Sequence, residues 1–123
     1  MEFDQLSNQV IGCAIEVHRT LGPGLLESAY RQCLAYELSR MDVRFEMEKS
    51  IVIDYKGIAI QNGFRADLIV EEKLLLELKS VERLLAIHET QILTYMKLAK
   101  VATGLLINFN VPVLKNGIKR FVL

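Results

Sequence analysis

The sequence predicts a mixed α/β (α+β) fold in which helices pack on a mixed sheet of about five strands. Apolar residues recur every three or four positions at the start of the chain, then alternate or cluster in short runs, then return to helical spacing. The predicted order is helix, helix, three strands, helix, strand, strand. A chain of 123 residues fits one domain, so we expect a single domain over residues 1–123.

Two amphipathic helices are predicted first. The apolar face of the first helix comprises Phe3, Leu6, Val10, Cys13, Val17 and Leu21. Gly22-Pro23-Gly24 ends this helix, because proline cannot continue the hydrogen-bonded ladder and glycine accepts a turn. The second helix is predicted from about Leu25 to about Met41. Its inward face comprises Leu26, Ala29, Tyr30, Cys33, Leu34 and Leu38.

Three strands follow, because the apolar period changes from that of a helix to that of a strand. They are predicted over about residues 44–55, 58–70 and 74–81, separated by Lys56-Gly57 and by Glu71-Glu72-Lys73. These two polar segments, one of which contains a glycine, therefore predict where the chain turns.

The last part of the chain predicts a helix and two strands. Helical spacing returns over about residues 82–100, and a short apolar run over residues 101–109 predicts a strand covered on both faces. Pro112 interrupts the chain after that run. Lys115-Asn116-Gly117 is a hairpin signal before a final edge strand over residues 118–123.

The pairing of the second and third strands brings charged residues together. Their apolar faces comprise Phe64, Ala66, Leu68 and Val70 on one strand and Leu74, Leu76 and Leu78 on the other. If these faces coincide, the register is set, because a slip of one residue would send every side chain to the opposite face. Val70 then lies opposite Leu74 across a three-residue loop. The same register places Asp67 opposite Glu77, with Lys79 on the same face.

Two carboxylates that face each other across a ladder repel, so the pair Asp67 and Glu77 needs a cation. Lys79 supplies one positive charge, and a divalent cation such as Mg²⁺, which prefers carboxylate oxygen ligands, would supply more. The alternative is an ordinary polar face in which Lys79 neutralises Glu77 and Arg65 neutralises Asp67. The strand pattern by itself favours this alternative, because charged strand faces are common.

Several segments of the sequence resemble the GxxExxY protein family. They are Ala14-Ile15-Glu16-Val17-His18-Arg19-Thr20-Leu21-Gly22-Pro23, Gly24-Leu25-Leu26-Glu27-Ser28-Ala29-Tyr30, Gly63-Phe64-Arg65-Ala66-Asp67-Leu68, Glu77-Leu78-Lys79, His88-Glu89-Thr90-Gln91-Ile92-Leu93-Thr94-Tyr95 and Leu105-Leu106-Ile107-Asn108-Phe109. The likeness covers nearly the whole chain, with the motifs in order. This family is placed within the PD-(D/E)xK nuclease superfamily, so the resemblance implies a restriction-endonuclease-like core.

The resemblance also implies a site. Asp67 matches the first acidic residue of the superfamily motif, although Ala66 stands where the motif has proline, and Glu77-Leu78-Lys79 matches the (D/E)xK half. Glu27 resembles the additional helical carboxylate of many members. Asp67 and Glu77 would hold one or two Mg²⁺ or Mn²⁺ ions with Glu27 as a further ligand. With the resemblance, a metal site is favoured over the polar-face alternative.

The resemblance implies roles for residues around these ligands. Lys79 would position or help to deprotonate the attacking water. Gln91 joins Asp67, Glu77 and Lys79 as an implied catalytic residue, because Gln91 and Tyr95 match a QxxxY element on one helical face. Four side chains are expected to contact the substrate or to support the site: Tyr95, Tyr30, His88 and Arg65.

Simpler roles remain open for several of these aromatic and imidazole side chains. Tyr30 and Tyr95 are equally typical of core aromatics whose hydroxyl group is satisfied. His88 is placed to line the site one turn before Gln91, whereas His18 is expected to cap or pack near a helix end. Two histidines so placed do not form a zinc pattern.

Composition excludes several classes of protein. Fifteen basic and fifteen acidic residues give a formal net charge of zero, so a polyanion partner must be met by a local patch or by bound cations. No apolar run approaches the roughly 20 residues of a membrane span, and the acidic start lacks a signal peptide. We therefore expect a cytoplasmic protein without a membrane partner. Cys13 and Cys33 are too few for a thiolate cluster and are expected to be buried.

The sequence therefore predicts a metal-dependent nuclease that hydrolyses phosphodiester bonds in nucleic acid, with DNA as the expected substrate. We expect a homodimer, because a domain this small offers little surface to grip a duplex alone. The alternative is a catalytically idle nuclease-fold module with a binding or regulatory role. A redox protein is disfavoured, because no dinucleotide-binding motif follows a predicted strand.

Overall fold

The computed structural model describes residues 4–123, and Phe3, the first member of the predicted helical stripe, lies outside the described residues. Three α-helices are described: α1 (Gln5–Leu21), α2 (Glu27–Arg40) and α3 (Ala86–Ala99). The strands are β1 (Phe45–Ser50), β2 (Ile53–Tyr55), β3 (Ile58–Ile60), β4 (Arg65–Val70), β5 (Leu74–Lys79), β6 (Thr103–Asn108) and β7 (Ile118–Val122). A 3₁₀ turn, Leu114–Gly117, precedes β7. No described helix has both the length and the apolar character of a membrane span.

The main sheet has five strands in the order β1-β4-β5-β6-β7. β5 and β6 are parallel and are joined through α3, whereas the other neighbours are antiparallel. A parallel pair requires such a crossover connection, because a tight turn can join only antiparallel strands. The predicted mixed sheet flanked by helices is therefore confirmed.

The first two predicted strands are each divided, and the end of the first and the start of the second leave the main sheet. Ile51 still donates its N–H to the carbonyl of Phe64 (2.9 Å), and the Asn62 side chain donates to the Ile51 carbonyl (3.0 Å). The side-chain oxygen Oδ1 of Asn62 also accepts the N–H of Phe64 (2.6 Å). Between Ile51 and Asn62, β2 and β3 pair with each other as a separate hairpin. Local side-chain bonds therefore compete with the ladder at the point where the strands divide.

Helices cover both faces of the sheet. Leu68 and Leu76 belong to the core formed with α1 and α2, whereas Ile69 and Leu75 belong to a second core formed with α3. Phe64 was expected on the same face as Leu68, but its ring lies against Tyr95 of α3, with 6.1 Å between the ring centroids. The alternation breaks here because Phe64 precedes β4 and lies in the irregular connection.

Close packing of α3 on β6 depends on Gly104. A Cβ atom at this position would lie 2.7 Å from the Met96 sulfur and 3.2 Å from Cδ1 of Ile92. The missing side chain lets the helix approach the strand. The strand β6 is buried along nearly its whole length, which confirms the prediction of a strand covered on both faces.

The loop between β5 and α3 is irregular, so α3 begins at Ala86 rather than near residue 82 as predicted. The buried side chain of Asn108 accounts for this difference. Its Oδ1 accepts the N–H of Val81 (3.1 Å), and its Nδ2 donates to the Val81 carbonyl (2.9 Å). These bonds hold the backbone after β5 against the end of β6, where helical hydrogen bonds do not form.

Candidate metal and catalytic site

The strands β4 and β5 pair in the predicted register and then part. Val70 pairs with Leu74 and Leu68 with Leu76, and the regular pairing of the two strands ends there. Beyond this point, the N–H of Asp67 donates to Oε1 of Glu77 (3.1 Å), and the N–H of Leu78 donates to Oδ2 of Asp67 (2.7 Å). Each carboxylate therefore accepts a backbone N–H from the facing strand. This exchange fixes both side chains in the space where the ladder would have continued.

Glu77 lies in an environment that opposes its charge. Only 6% of the residue is exposed. Burial, followed by the negative charge of Asp67 and by that of Glu27, raises the pKa of Glu77 to about 8. The N–H of Asp67 and the charge of Lys79 act in the opposite direction but do not offset this shift. The site therefore favours either a proton or a further cation.

Arg31 supplies one cation from α2. Its Nη1 lies 3.2 Å from Oδ1 of Asp67, and its Nη2 lies 3.2 Å from Oε1 of Glu48. The side chains of Arg31 and Asp67 are only 18% and 15% exposed, so water screens this pair little. Arg31 is not among the predicted site residues, although its position four residues after Glu27 places both on one helical face.

The polar-face alternative predicted Arg65 as the partner of Asp67, and that pairing is wrong. Arg65 is exposed at the first position of β4, where it pairs with Ser50 of β1. Its side chain forms no ion pair within the described part of the chain. The strand pattern placed both residues on one face, but the helix that crosses the strand end supplies the nearer guanidinium.

Lys79 occupies the last position of β5. Its carbonyl accepts the N–H of Phe109 (2.9 Å), and its register partner in β6 is Asn108. The half-buried side chain forms no direct ion pair with another described residue, and its charge lowers the pKa of Glu77 from a distance. The ammonium group is therefore held near the carboxylates without being tied to either of them.

Helix α3 brings Gln91 and Tyr95 to the same side of the sheet as Glu77. The Gln91 amide donates to the Tyr95 hydroxyl (3.3 Å). Burial, followed by the negative charges of Glu77 and Asp67, raises the pKa of Tyr95, whereas the bond from Gln91 lowers it. The buried phenol therefore stays neutral and can donate a hydrogen bond next to the two carboxylates.

Tyr30, another predicted site residue, has its partners in the core. Tyr30 is fully buried, its ring is stacked on Phe109 at 4.4 Å, and its hydroxyl donates to the Gly22 carbonyl (2.6 Å). The N–H of Leu25 donates to the same hydroxyl (3.1 Å). Of the two roles left open for Tyr30, the structure therefore shows the core aromatic with a satisfied hydroxyl.

The histidines serve helix α3 and the core. Nδ1 of His88 accepts the N–H of Leu85 (3.0 Å) and so caps the start of α3. His18 is buried, and its Nε2 donates to the carbonyl of Val111 (2.8 Å). Packing near a helix end was the role expected for His18, whereas the capping role of His88 was not expected.

The donor set suits a hard divalent cation. Asp67 and Glu77 present carboxylate oxygens, which Mg²⁺ and Mn²⁺ prefer, and the guanidinium of Arg31 already stands at Asp67 as a cation. Among residues 4–123, no group of three or more His, Cys, Asp or Glu side chains is arranged to hold a metal ion. The structure therefore brings two of the three predicted ligands together, and Glu27 acts on Glu77 only through its charge.

The model of the PD-(D/E)XK nuclease superfamily matches residues 4–121 of the chain. The chain belongs to this superfamily. Asp67 and the sequence Glu77-Leu78-Lys79 stand where β4 and β5 part, and the latter reads as the (D/E)XK half of the superfamily's name. PD-(D/E)XK nucleases are generally dependent on divalent metal ions, and the carboxylate oxygens of Asp67 and Glu77 are of the kind that such ions prefer. No curated protein and no solved structure gives a significant match.

Proposed function

We propose that this PD-(D/E)XK domain is a Mg²⁺- or Mn²⁺-dependent nuclease of the GxxExxY type that hydrolyses phosphodiester bonds in DNA. One observation carries the proposal: Asp67 and Glu77 hold each other's strands through backbone N–H groups, with Lys79 two residues further on. Such a buried carboxylate pair is costly for a protein without a function for it, because two negative charges are taken out of water together.

Asp67 and Glu77 would hold the ion, with Glu27 as a further ligand once α2 and the strands adjust around it. When bound, the ion would lower the pKa of a coordinated water and stabilise negative charge on the phosphate. The Leu78 N–H keeps Oδ2 of Asp67 in place, and the Asp67 N–H does the same for Oε1 of Glu77. Each carboxylate group is thereby held in one orientation whether or not an ion is bound.

Lys79 would attract and orient the attacking water and offset charge that develops on the phosphate. Its lack of a direct ion pair among the described residues leaves the ammonium available for this role. Gln91 and Tyr95, bonded to each other, would hold the substrate backbone or fix the position of Glu77. The exposed guanidinium of Arg65 would contact a phosphate outside the site.

One observation favours the alternative, a nuclease-fold module without catalysis. Arg31 already neutralises Asp67, and an ion pair of this kind can serve structure without any metal. In that case the domain would bind nucleic acid or a regulatory partner through the same surface without cleaving a bond.

A cleavage assay separates these two functions. The protein is incubated with plasmid, linear duplex and single-stranded DNA, each with Mg²⁺, with Mn²⁺ and with a chelator. We expect cleavage only with metal, and a loss of about 100-fold or more in Asp67→Ala and Lys79→Ala, because each removes a group that acts on the transition state. Lys115→Ala is the matched control, since Lys115 is exposed in the 3₁₀ turn before β7.

Cleavage that persists in Asp67→Ala and Lys79→Ala at the wild-type rate would assign the activity to a contaminant. An absence of cleavage on all three substrates, together with an absence of Mn²⁺ binding in calorimetry, would favour the module without catalysis.

A further inference from the structure

The guanidinium of Arg31 bridges two strands next to the carboxylate pair. It contacts Oδ1 of Asp67 in β4 and Oε1 of Glu48 in β1, each at 3.2 Å. Oδ2 of Asp67 already accepts the N–H of Leu78, so Oδ1 is the oxygen that the backbone leaves free. Arg31 therefore contacts the one Asp67 oxygen that has no backbone hydrogen bond, which is the oxygen that a metal ion would need.

We propose that Arg31 is an internal competitor of the metal ion, a positively charged latch that holds Asp67 until an ion displaces it. This inference rests on the proposed metal-dependent nuclease. A guanidinium and a divalent ion cannot both stand against Oδ1 without strong repulsion, because both are cations within a few ångströms of each other. Metal binding therefore requires Nη1 of Arg31 to leave Asp67.

Glu48 is the group that receives the displaced guanidinium. Its side chain is 52% exposed and already contacts Nη2, so Arg31 can move toward solvent without becoming unpaired. The register of β1 and β4, with Met47 opposite Leu68 and Lys49 opposite Ala66, places Glu48 opposite Asp67. The second partner of the latch therefore stands directly across the strand from the first.

The backbone of Glu48 supports a dedicated role. This residue has φ 51°, in the left-handed region that residues other than glycine seldom adopt within a strand. Strained backbone of this kind is retained when the surrounding structure requires a side chain in one place. Here, the conformation keeps a carboxylate within reach of Arg31.

The latch predicts opposite effects on metal affinity and on the metal-free protein. Without Arg31, the ion no longer competes with a guanidinium, so Mn²⁺ should bind about tenfold more tightly or better. The metal-free protein should lose stability at the same time, because Asp67 and Glu77 then face each other with one cation fewer. A purely structural arginine would lower stability equally with and without metal and would leave the metal affinity unchanged.

Calorimetric titration with Mn²⁺ tests the latch in Arg31→Met. Arg40→Met is the matched control, because it removes the same charge from the same helix at an exposed position over the Tyr36 ring. We expect a Kd at least about tenfold lower in Arg31→Met and a wild-type Kd in Arg40→Met. Thermal unfolding in a chelator should show a lower melting temperature for Arg31→Met, and saturating Mn²⁺ should abolish that difference.

Glu48→Gln provides a second test if Arg31→Met does not fold. With Glu48 neutral, a displaced Arg31 has no second carboxylate to pair with. The Kd for Mn²⁺ should therefore rise by at least about threefold. Glu46→Gln removes the same charge from the same strand, where Glu46 pairs with Lys49, and should leave the Kd unchanged.

The outcomes separate the latch from the proposed function. Equal Mn²⁺ affinity in the wild type and Arg31→Met, with cleavage intact in the wild type, overturns the latch alone. Weaker Mn²⁺ binding in Arg31→Met also overturns it. An absence of Mn²⁺ binding in the wild type, Arg31→Met and Arg40→Met, together with an absence of cleavage, overturns both the latch and the proposed nuclease.

Discussion

Glu77 carries its carboxyl group where little water reaches it and where Asp67 lies directly opposite. Burial and the neighbouring charge both disfavour the ionised form, and the single ammonium of Lys79 does not offset them. Without an ion, the folded protein therefore binds a proton at Glu77 that the unfolded chain would release.

We expect Glu77→Gln to stabilise the metal-free protein increasingly as pH rises. The pKa of Glu77 is about 8 in the folded state and 4.5 as the ordinary value, so between these values the folded state binds more protons than the unfolded state. The free energy of unfolding of the wild type therefore falls as pH rises through this window, and the amide variant escapes that loss. The gain should reach about 1–3 kcal/mol near pH 8.

Urea unfolding in a chelator at about pH 5, 6.5 and 8 measures this difference. The control is Glu82→Gln, which changes an exposed glutamate in the loop after β5. A difference between Glu77→Gln and the wild type that stays constant across the three pH values would contradict the buried, charge-opposed environment.

The buried side-chain amide of Asn108 holds the backbone of the loop after β5. We expect Asn108→Ala to lower the free energy of unfolding by about 1–3 kcal/mol, because the N–H of Val81 loses its partner and the Val81 carbonyl keeps only the longer bond from Asn110 (3.4 Å). The loop that follows Lys79 should loosen, so the cleavage rate should fall more than the affinity for DNA. Measurements of urea unfolding, cleavage and DNA binding on the same preparation test this. An unchanged cleavage rate would show that the loop holds its shape without Asn108.

Among the secondary-structure elements, β4 and β5 pair regularly over one part of their length and separate over the rest. Leucines and other apolar side chains on both faces hold the paired part between two layers of helices. Past Leu68 and Leu76, side-chain oxygens replace the main-chain partners. These hydrogen bonds hold the two carboxylates at the strand ends without help from a loop.

The junction between β6 and β7 depends on a glycine. A Cβ atom on Gly117 would lie 2.3 Å from the carbonyl oxygen of Asn108, so the backbone would have to shift. We expect Gly117→Ala to cost about 1–3 kcal/mol, measured by thermal unfolding. Gly12→Ala in α1 is the control, because its added methyl group meets nothing within 4 Å and alanine is the better helix former. Equal losses in both variants would contradict the close approach.

At the scale of the molecule, the site lies where α2, α3 and the strand ends meet. Arg31 and Glu27 come from one helix, Gln91 and Tyr95 from another, and the carboxylate pair from the sheet between them. A cavity of about 690 Å³ lies instead beside Asp4, Met41 and the turn between β4 and β5. Neither Asp67 nor Glu77 lines that cavity, so the carboxylate pair is separate from it.

We propose that the protein acts as a homodimer on duplex DNA. One chain has a mass of 14.0 kDa, and light scattering after size-exclusion chromatography should therefore give about twice this mass. The physical reason is that a domain of this size presents little surface to contact both strands of a duplex. A mass equal to that of one chain, at concentrations where cleavage is observed, would contradict the dimer.

Much of the fold follows from local pattern. The helical spacing of Val10, Cys13 and Val17 predicted α1, and these residues are buried as expected. The strand boundaries were harder to predict from the sequence, because the division near Ile51 depends on hydrogen bonds made by Asn62, eleven residues away. The start of α3 likewise depends on Asn108, which lies at the end of β6, after α3 in the chain.

The opposition of Asp67 and Glu77 follows from the residue pattern of the two strands alone. Side chains alternate with a period of two, and the three-residue turn leaves one register that keeps the leucines together. The cation that meets Asp67, by contrast, depends on the three-dimensional arrangement of the whole chain. Arg31 lies 36 residues away in the chain, and its arrival depends on how α2 docks across the end of the sheet. Such docking is decided by packing over the whole core, which no local pattern around Asp67 contains.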